Sequence, residues 1–362
     1  MSRKIGILSM QRVVNYGSVL QAWSLREMIR SATGVCAGFL DIQDQPAMES
    51  LADNLSAKDY AVQAAYSRRL TQRAKRRIIT WLSGKNKQMI RRFMRQELQL
   101  DASLPEELDH VVVGSDEVFN HASGIRLQLH GEVQNARQVI CYAASCGSAK
   151  ASDVRQEDAA RLRQAMSRFI AFSVRDEGTR EYVQAFSDLP VQHHLDPVLM
   201  GPLQARESRP VWLKKYLLVY AYGQRIRTEE EINAIRAFAR QRGLMVVAMG
   251  GSQFWCDLYI PASPMRMLDW FAHASYVVTD TFHGAIFSVI NHRKFAAILR
   301  PSNRNKLSCL LEDLSLSSRQ VTEIAQLPAV LEENIDYARV DAYLAQERIR
   351  AMDYLKEHLS NA

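Results

Sequence analysis

The chain has 362 residues, of which 47% are hydrophobic and 23% charged, with a formal net charge of +7. That is the make-up of a globular protein long enough for two cores, and it excludes fibrous, collagen-like and disordered classes. Eleven Lys or Arg and no acid lie between Arg68 and Arg95, so the rest of the chain carries about −4 (7 − 11) and no nucleic-acid partner is expected.

The opening residues lack the apolar core of a signal peptide, and no run approaches the ~20 apolar residues that span a bilayer. A cytoplasmic chain is expected, free to touch the inner face of a membrane. The five cysteines (Cys36, Cys141, Cys146, Cys256, Cys309) are scattered and odd in number, with no metal spacing, and read as free thiols.

Lys4 to Leu8 reads as the first strand. The turn Asn15-Tyr16-Gly17 follows, with Ser18 as N-cap of a helix through Ile29. This turn stands where nucleotide-binding folds place a phosphate or sugar, but it is not G-x-G-x-x-G. Val35 to Ile42 suggests a second strand. From Asp53 to Gln99 the pattern turns helical and basic. Its apolar stripe of Met89, Ile90, Phe93 and Met94 among arginines would suit either an anionic membrane surface or a helical insertion with a solvated basic face.

His110 to Val113 is a buried strand ending in Gly114-Ser115-Asp116-Glu117. A glycine, a hydroxyl and a carboxylate there suit a hydroxyl-bearing ligand, or Asp116 caps a helix. Gln138 to Ala144 is another strand, closing in a small-residue turn at Ser145-Cys146-Gly147 that would let backbone approach a ligand. A helix at Gln156–Met166 precedes a strand at Phe169–Val174, which ends in Arg175-Asp176-Glu177. Asp196-Pro197 reads as a structural boundary, and Gly201 to Pro210 as a linker. Beyond it come strand Tyr216–Tyr222, helix Glu229–Gln241, strand Leu244–Met249 and helix Met265–His273.

Ser275 to Leu299 is the most informative stretch. Tyr276-Val277-Val278 is a parallel strand and Thr279 to Gly284 a polar hinge. A helix and the strand Lys294–Ile298 complete a β-α-β unit. His283 stands at the helix start, beyond a strand's carboxyl end, where free N–H groups favour an anion. It is either a site histidine or a buried, hydrogen-bonded one. Helices at Asn305–Leu314 and Tyr337–His358 close the chain. The alternation implies an α/β fold of parallel sheets in two Rossmann-like domains facing a cleft. Their bounds are 1–200, with the basic insertion at about 53–100, and 211–330, followed by a terminal helix at 335–362.

Several pieces, in order, resemble the polysaccharide pyruvyl transferase family. They are the opening strand with Asn15 to Ala22, Val113 to Asn120, Tyr142 to Gly147, Ser173 to Glu177, Leu195-Asp196-Pro197, Val278 to Gly284, and Lys306 to Leu316. The resemblance implies an architecture similar to GT-B glycosyltransferases. It also implies transfer of a pyruvyl group from phosphoenolpyruvate to two hydroxyls of a surface-polysaccharide sugar or its lipid-linked precursor, forming a ketal. Phosphoenolpyruvate is then a co-substrate, and no cofactor or metal is expected.

On this reading His283 and Asp116 are catalytic, His283 donating a proton or clamping phosphate and Asp116 receiving a proton from the attacking hydroxyl. Arg175, Thr281, Gly284, Arg304 and Lys306 line the donor site. Asn15, Tyr16, Gly17, Gly114 and Ser115 lie toward the acceptor. Many members carry an arginine where this chain has Thr281, a lack shared by the branch with phenylalanine before the histidine. A nucleotide-sugar glycosyltransferase and a non-catalytic scaffold for polysaccharide assembly are the competing readings.

Overall fold

A computed structural model describes residues 3–42, 70–121, 124–223 and 225–360. The basic segment before residue 70, with Arg68 and Arg69, lies outside the described residues.

The first half of the chain folds into a parallel sheet of β1 (Ile5–Leu8), β2 (Gly38–Phe39), β3 (Leu108–Asp116), β4 (Ala136–Ala144), β5 (Phe169–Val174) and β6 (Val191–His193). Their order in the sheet is β2-β1-β3-β4-β5-β6. The second half repeats the plan with β7 (Tyr216–Ala221), β8 (Met245–Gly250), β9 (Leu258–Tyr259), β10 (Tyr276–Thr279), β11 (Phe295–Ile298) and β12 (Gln320–Val321). Here the order is β12-β11-β10-β7-β8-β9. The central strands are apolar on both faces because helices cover both sides of each sheet.

The helices are α1 (Tyr16–Thr33), α2 (Leu70–Gln96), α3 (Gln156–Met166), α4 (Glu177–Gln184), α5 (Pro197–Met200), α6 (Glu229–Gln241), α7 (Pro264–His273), α8 (Phe282–Ile290), α9 (Arg304–Asp313), α10 (Leu327–Glu332) and α11 (Tyr337–Ser360). Strand order reverses direction between β1 and β3 in one sheet and between β7 and β10 in the other. Ligands of open α/β sheets bind at such switch points, beyond the strands' carboxyl ends.

One apolar core runs through both halves, joining Leu20, Tyr16 and Ile140 to Tyr216, Leu218 and Phe287. A further core lies on the outer face of each sheet. Helix α2 serves two of these cores. Ile79 enters the outer core of the second half, while Ile90, Phe93 and Met94 enter the shared one. Most of the expected membrane-facing stripe is thus spent inside the protein, and among its described side chains the large apolar residues that α2 exposes are Ile78, Trp81 and Met89. Helix α11 returns to the first half, where the Tyr354 hydroxyl donates to the Cys141 carbonyl at 2.7 Å.

Most expected elements appear within one or two residues of their bounds. The strand expected over Val35–Ile42 shrinks to Gly38–Phe39. Helix α1 begins at Tyr16 because Asn15, not Ser18, is the N-cap, its side chain accepting from Ser18 N at 2.7 Å. Part of the expected linker is a 3₁₀ turn, Pro202–Ala205. Strands β9 and β12 and helix α10 lacked a readable period. Among the described residues no helix is long and apolar enough to cross a membrane.

Candidate active site

Both switch points face each other, and their loops interlock. From the first half, Asp116 ends β3, Arg175 follows β5, and Asp196 precedes α5. Asp116 takes a left-handed backbone, φ +74°, which its short polar side chain tolerates better than most. Gly114, at φ +122°, presses onto the Tyr142 carbonyl, which a Cβ would meet at 2.2 Å. Ser115 is fully buried and donates its hydroxyl to the Ala143 carbonyl at 2.7 Å. Gly114 and Ser115 therefore shape the strand end that aims Asp116. Asp116 ends a strand and caps no helix. It accepts from Ser18 Oγ at 2.7 Å and lies 3.5 Å from Arg175.

Arg175 and Asp196 form the buried centre. The Arg175 guanidinium donates to Asp196 Oδ2 at 2.7 Å, and their side chains are 2% and 0% exposed. Burial alone would raise the Asp196 carboxyl, but His283 and Arg175 hold it below the ordinary aspartate value. Burial likewise opposes the Arg175 charge, and Asp196 and Asp116 outweigh it. Asp196 doubles as N-cap of α5, accepting from Val198 N at 3.0 Å. The residue read as a structural boundary is thus also the ionic anchor of the site. Its signal was the Leu-Asp-Pro piece of the family pattern.

The second half supplies α8. Thr281 is its N-cap, accepting from Gly284 N at 2.9 Å and sharing a hydrogen bond with Thr279. Gly284 has no room for a side chain, since a Cβ would meet Thr279 Oγ1 at 2.0 Å. Both residues build the helix start. His283 Nε2 is buried, 3.6 Å from Asp196 Oδ2, and makes no hydrogen bond. Phe282 lies under the Arg175 guanidinium, 4.3 Å from ring centroid to Cζ, a contact that favours the cation.

The Asn15-Tyr16-Gly17 turn completes the joint. Asn15 caps α1. Tyr16 is buried, its hydroxyl shared between Asn86 of α2 and the Ala262 carbonyl just before α7. Gly17 leaves space for the His283 ring.

Lys306, in the first turn of α9, binds Glu117 across the cleft. Burial would raise the Glu117 carboxyl, yet Lys306 and Asn120 hold it at about 2. The small-residue turn approaches this same carboxylate, since a Cβ on Gly147 would meet Glu117 Oε2 at 2.7 Å. Arg304 is exposed at the head of α9. Sequence reasoning also missed Asp280, fully buried at the end of β10, whose oxygens make no well-formed hydrogen bond. Burial raises its carboxyl to about 6 against the pull of Arg225 and Arg300. The two halves therefore differ in charge at the cleft. The first presents Asp116, Glu117 and Asp196 around one arginine, and the second presents Arg225, Arg300 and Lys306, with Glu231 and Asp280 beside Arg300.

Two Rossmann-like halves with charged strand ends closed on each other define a two-domain α/β enzyme of GT-B-like architecture. The chain belongs to the polysaccharide pyruvyl transferase family, whose model matches residues 15–302. It is similar in fold to S. aureus MnaA in its co-structure with UDP. There the TM-score is 0.52 at 10% identity, covering 99% of this chain and 97% of that one. It is also similar to a putative UDP-N-acetylglucosamine 2-epimerase from Listeria monocytogenes (TM-score 0.47, 11% identity, 100% and 98% covered). A glycosyltransferase of Streptomyces complexed with thymidine diphosphate gives a TM-score of 0.46 at 11% identity, with 99% and 100% covered. No curated protein matches the chain.

Proposed function

We propose that this transferase moves a pyruvyl group from phosphoenolpyruvate to two hydroxyls of a sugar in a surface polysaccharide or its lipid-linked precursor, with release of phosphate. The observation that carries the reading is the division of charge across the cleft. An anionic donor is favoured on the cationic second half, and a hydroxyl acceptor on the carboxylates of the first. In this reading His283, at the start of α8 beside Asp196, protonates the enol carbon as a sugar oxygen attacks. Asp116 takes that hydroxyl's proton. Phosphate then leaves toward Lys306 and the α8 N-terminus, and the second hydroxyl closes the ketal, returning its proton to the His283 imidazole that gave one to the enol carbon. Because Lys306 is already paired with Glu117 across the cleft, substrates enter only after the halves part.

The test incubates the protein with phosphoenolpyruvate and glycans bearing paired hydroxyls. Phosphate release with a pyruvyl mass gain on the glycan is expected. Calorimetric binding of a nucleoside diphosphate but not of phosphoenolpyruvate would instead establish the glycosyltransferase reading.

The outward face of α2 adds Ile78 and Trp81, 58% and 62% exposed, to its arginines and lysines. This face would seat the enzyme on an anionic membrane where a lipid-linked acceptor lies. Sedimentation with anionic vesicles should drop in Trp81→Ala; equal sedimentation of the variant removes the contact.

A further inference from the structure

We propose that His193, Cys309 and Asp313 form a binding site for a divalent transition-metal ion, zinc by donor chemistry, that staples the two halves together. His193 closes β6, the edge strand of the first sheet, while Cys309 and Asp313 stand four residues apart on α9 of the second half. That spacing puts both on one helix face. Their ligating atoms all lie within 4.8 Å of one another, with His193 Nε2 3.5 Å from Asp313 Oδ2. Tetrahedral zinc separates its ligand atoms by about 3.3–3.8 Å, so small side-chain rotations gather the three, with water in the fourth position. A scan of cysteine spacing misses the site because its ligands come from opposite halves.

One cation, Arg350, stands near the three and pairs with Glu347. Asp313 Oδ2 is buried without a hydrogen bond, and so is one oxygen of Glu347 on α11. Burial, helped by the charges of Glu347 and Glu312, keeps the Asp313 carboxyl raised against the pull of His193. Arg350 takes the other Glu347 oxygen. Two carboxylates and a thiol beside one imidazole and one arginine are stabilised by a divalent cation more than by those two groups alone. Burial pushes the Cys309 thiol up to about 11, so metal entry must release its proton. Lys306, in the first turn of the same helix, already grips Glu117. A metal at the far end would fix α9 to the first half at both ends and hold the cleft shut, whichever donor the enzyme uses.

The full-length protein, stripped with a chelator, is titrated with Co²⁺ and then Zn²⁺. One equivalent of Co²⁺ should give a thiolate-to-metal absorption band that Zn²⁺ displaces. The band should vanish in Cys309→Ser and persist in Cys36→Ser, since Cys36 is the exposed free thiol. Asp313→Asn and His193→Gln should each weaken binding by more than about tenfold. Absence of a saturable band in the wild type, or its survival in Cys309→Ser, overturns the proposal. Should Cys309→Ser fail to fold by circular dichroism, X-ray absorption of the zinc-loaded wild type decides. One sulfur in the first shell supports the site, and a shell without sulfur rejects it.

Discussion

Gly17 and His283 share space that leaves no room for a methyl group: a Cβ on Gly17 would fall 2.2 Å from His283 Nδ1. Gly17 lies inside α1 with an ordinary helical backbone, so Gly17→Ala should raise helix propensity by about 1 kcal/mol while displacing the imidazole. Turnover should fall on the order of 100-fold, as a shift of about 1 Å at a reacting group does. The measurement is turnover alongside thermal melting. Full activity in this variant would show that His283 needs no fixed position.

Asp196→Asn removes the carboxylate shared by Arg175 and His283. Leaving a buried arginine without its partner should cost about 3–5 kcal/mol, read by denaturant unfolding at neutral pH. The pH dependence follows from a folded pKa below the unfolded one. The contribution of Asp196 is fully present above the ordinary aspartate value and is lost as pH falls through the lower folded value. The variant should therefore lose less stability than the wild type on acidification. A parallel loss in both proteins would contradict the pairing.

Asp280 works in the opposite sense. Its folded pKa, about 6, lies above the unfolded value, so its stabilising contribution is full below pH ~3.8 and declines as pH rises to about 6. Asp280→Asn should stabilise the protein at pH 7.5 by roughly 2–3 kcal/mol and remove that decline. A lower melting temperature in the variant at pH 7.5 would refute the burial argument. A carboxylate kept at such a cost beside Arg225 and Arg300 is expected to matter to donor binding.

Tyr16→Phe separates structure from substrate contact. The tyrosine hydroxyl joins Asn86 of α2 and Ala262, so the variant should lose about 1–2 kcal/mol, chiefly through the unsatisfied Ala262 carbonyl. Its KM for the acceptor should stay at the wild-type value under conditions where the protein is folded. A raised KM with unchanged stability would return Tyr16 to the acceptor site.

Alternation of apolar strands and amphipathic helices made the two sheets legible. The β10–α8 unit was legible because an apolar strand, a polar hinge and a helix follow one another between Tyr276 and Ile290. Asp196 was not, because its partners, Arg175 on a neighbouring strand end and His283 in the other half, are joined to it by no local period. Ser18 and Asn15 are both good caps. Which one acts depends on Asp116, which uses the Ser18 hydroxyl from a distant strand end. The stripe of Ile90, Phe93 and Met94 reads the same whether it meets lipid or the protein's own core.

Helix α2 reaches one core with Ile79 and another with Ile90, Phe93 and Met94. Its 27 residues make a rod about 40 Å long. Gly84 stands between the two anchorages, and a Cβ placed on it would touch nothing within 4 Å. A glycine inside a helix is where the rod bends most easily. On the proposed reading that the halves part to admit substrate, this rod would set the width of the opening by how far it flexes at its midpoint, and a stiffer residue there is expected to narrow the mouth without touching any group that handles the reaction.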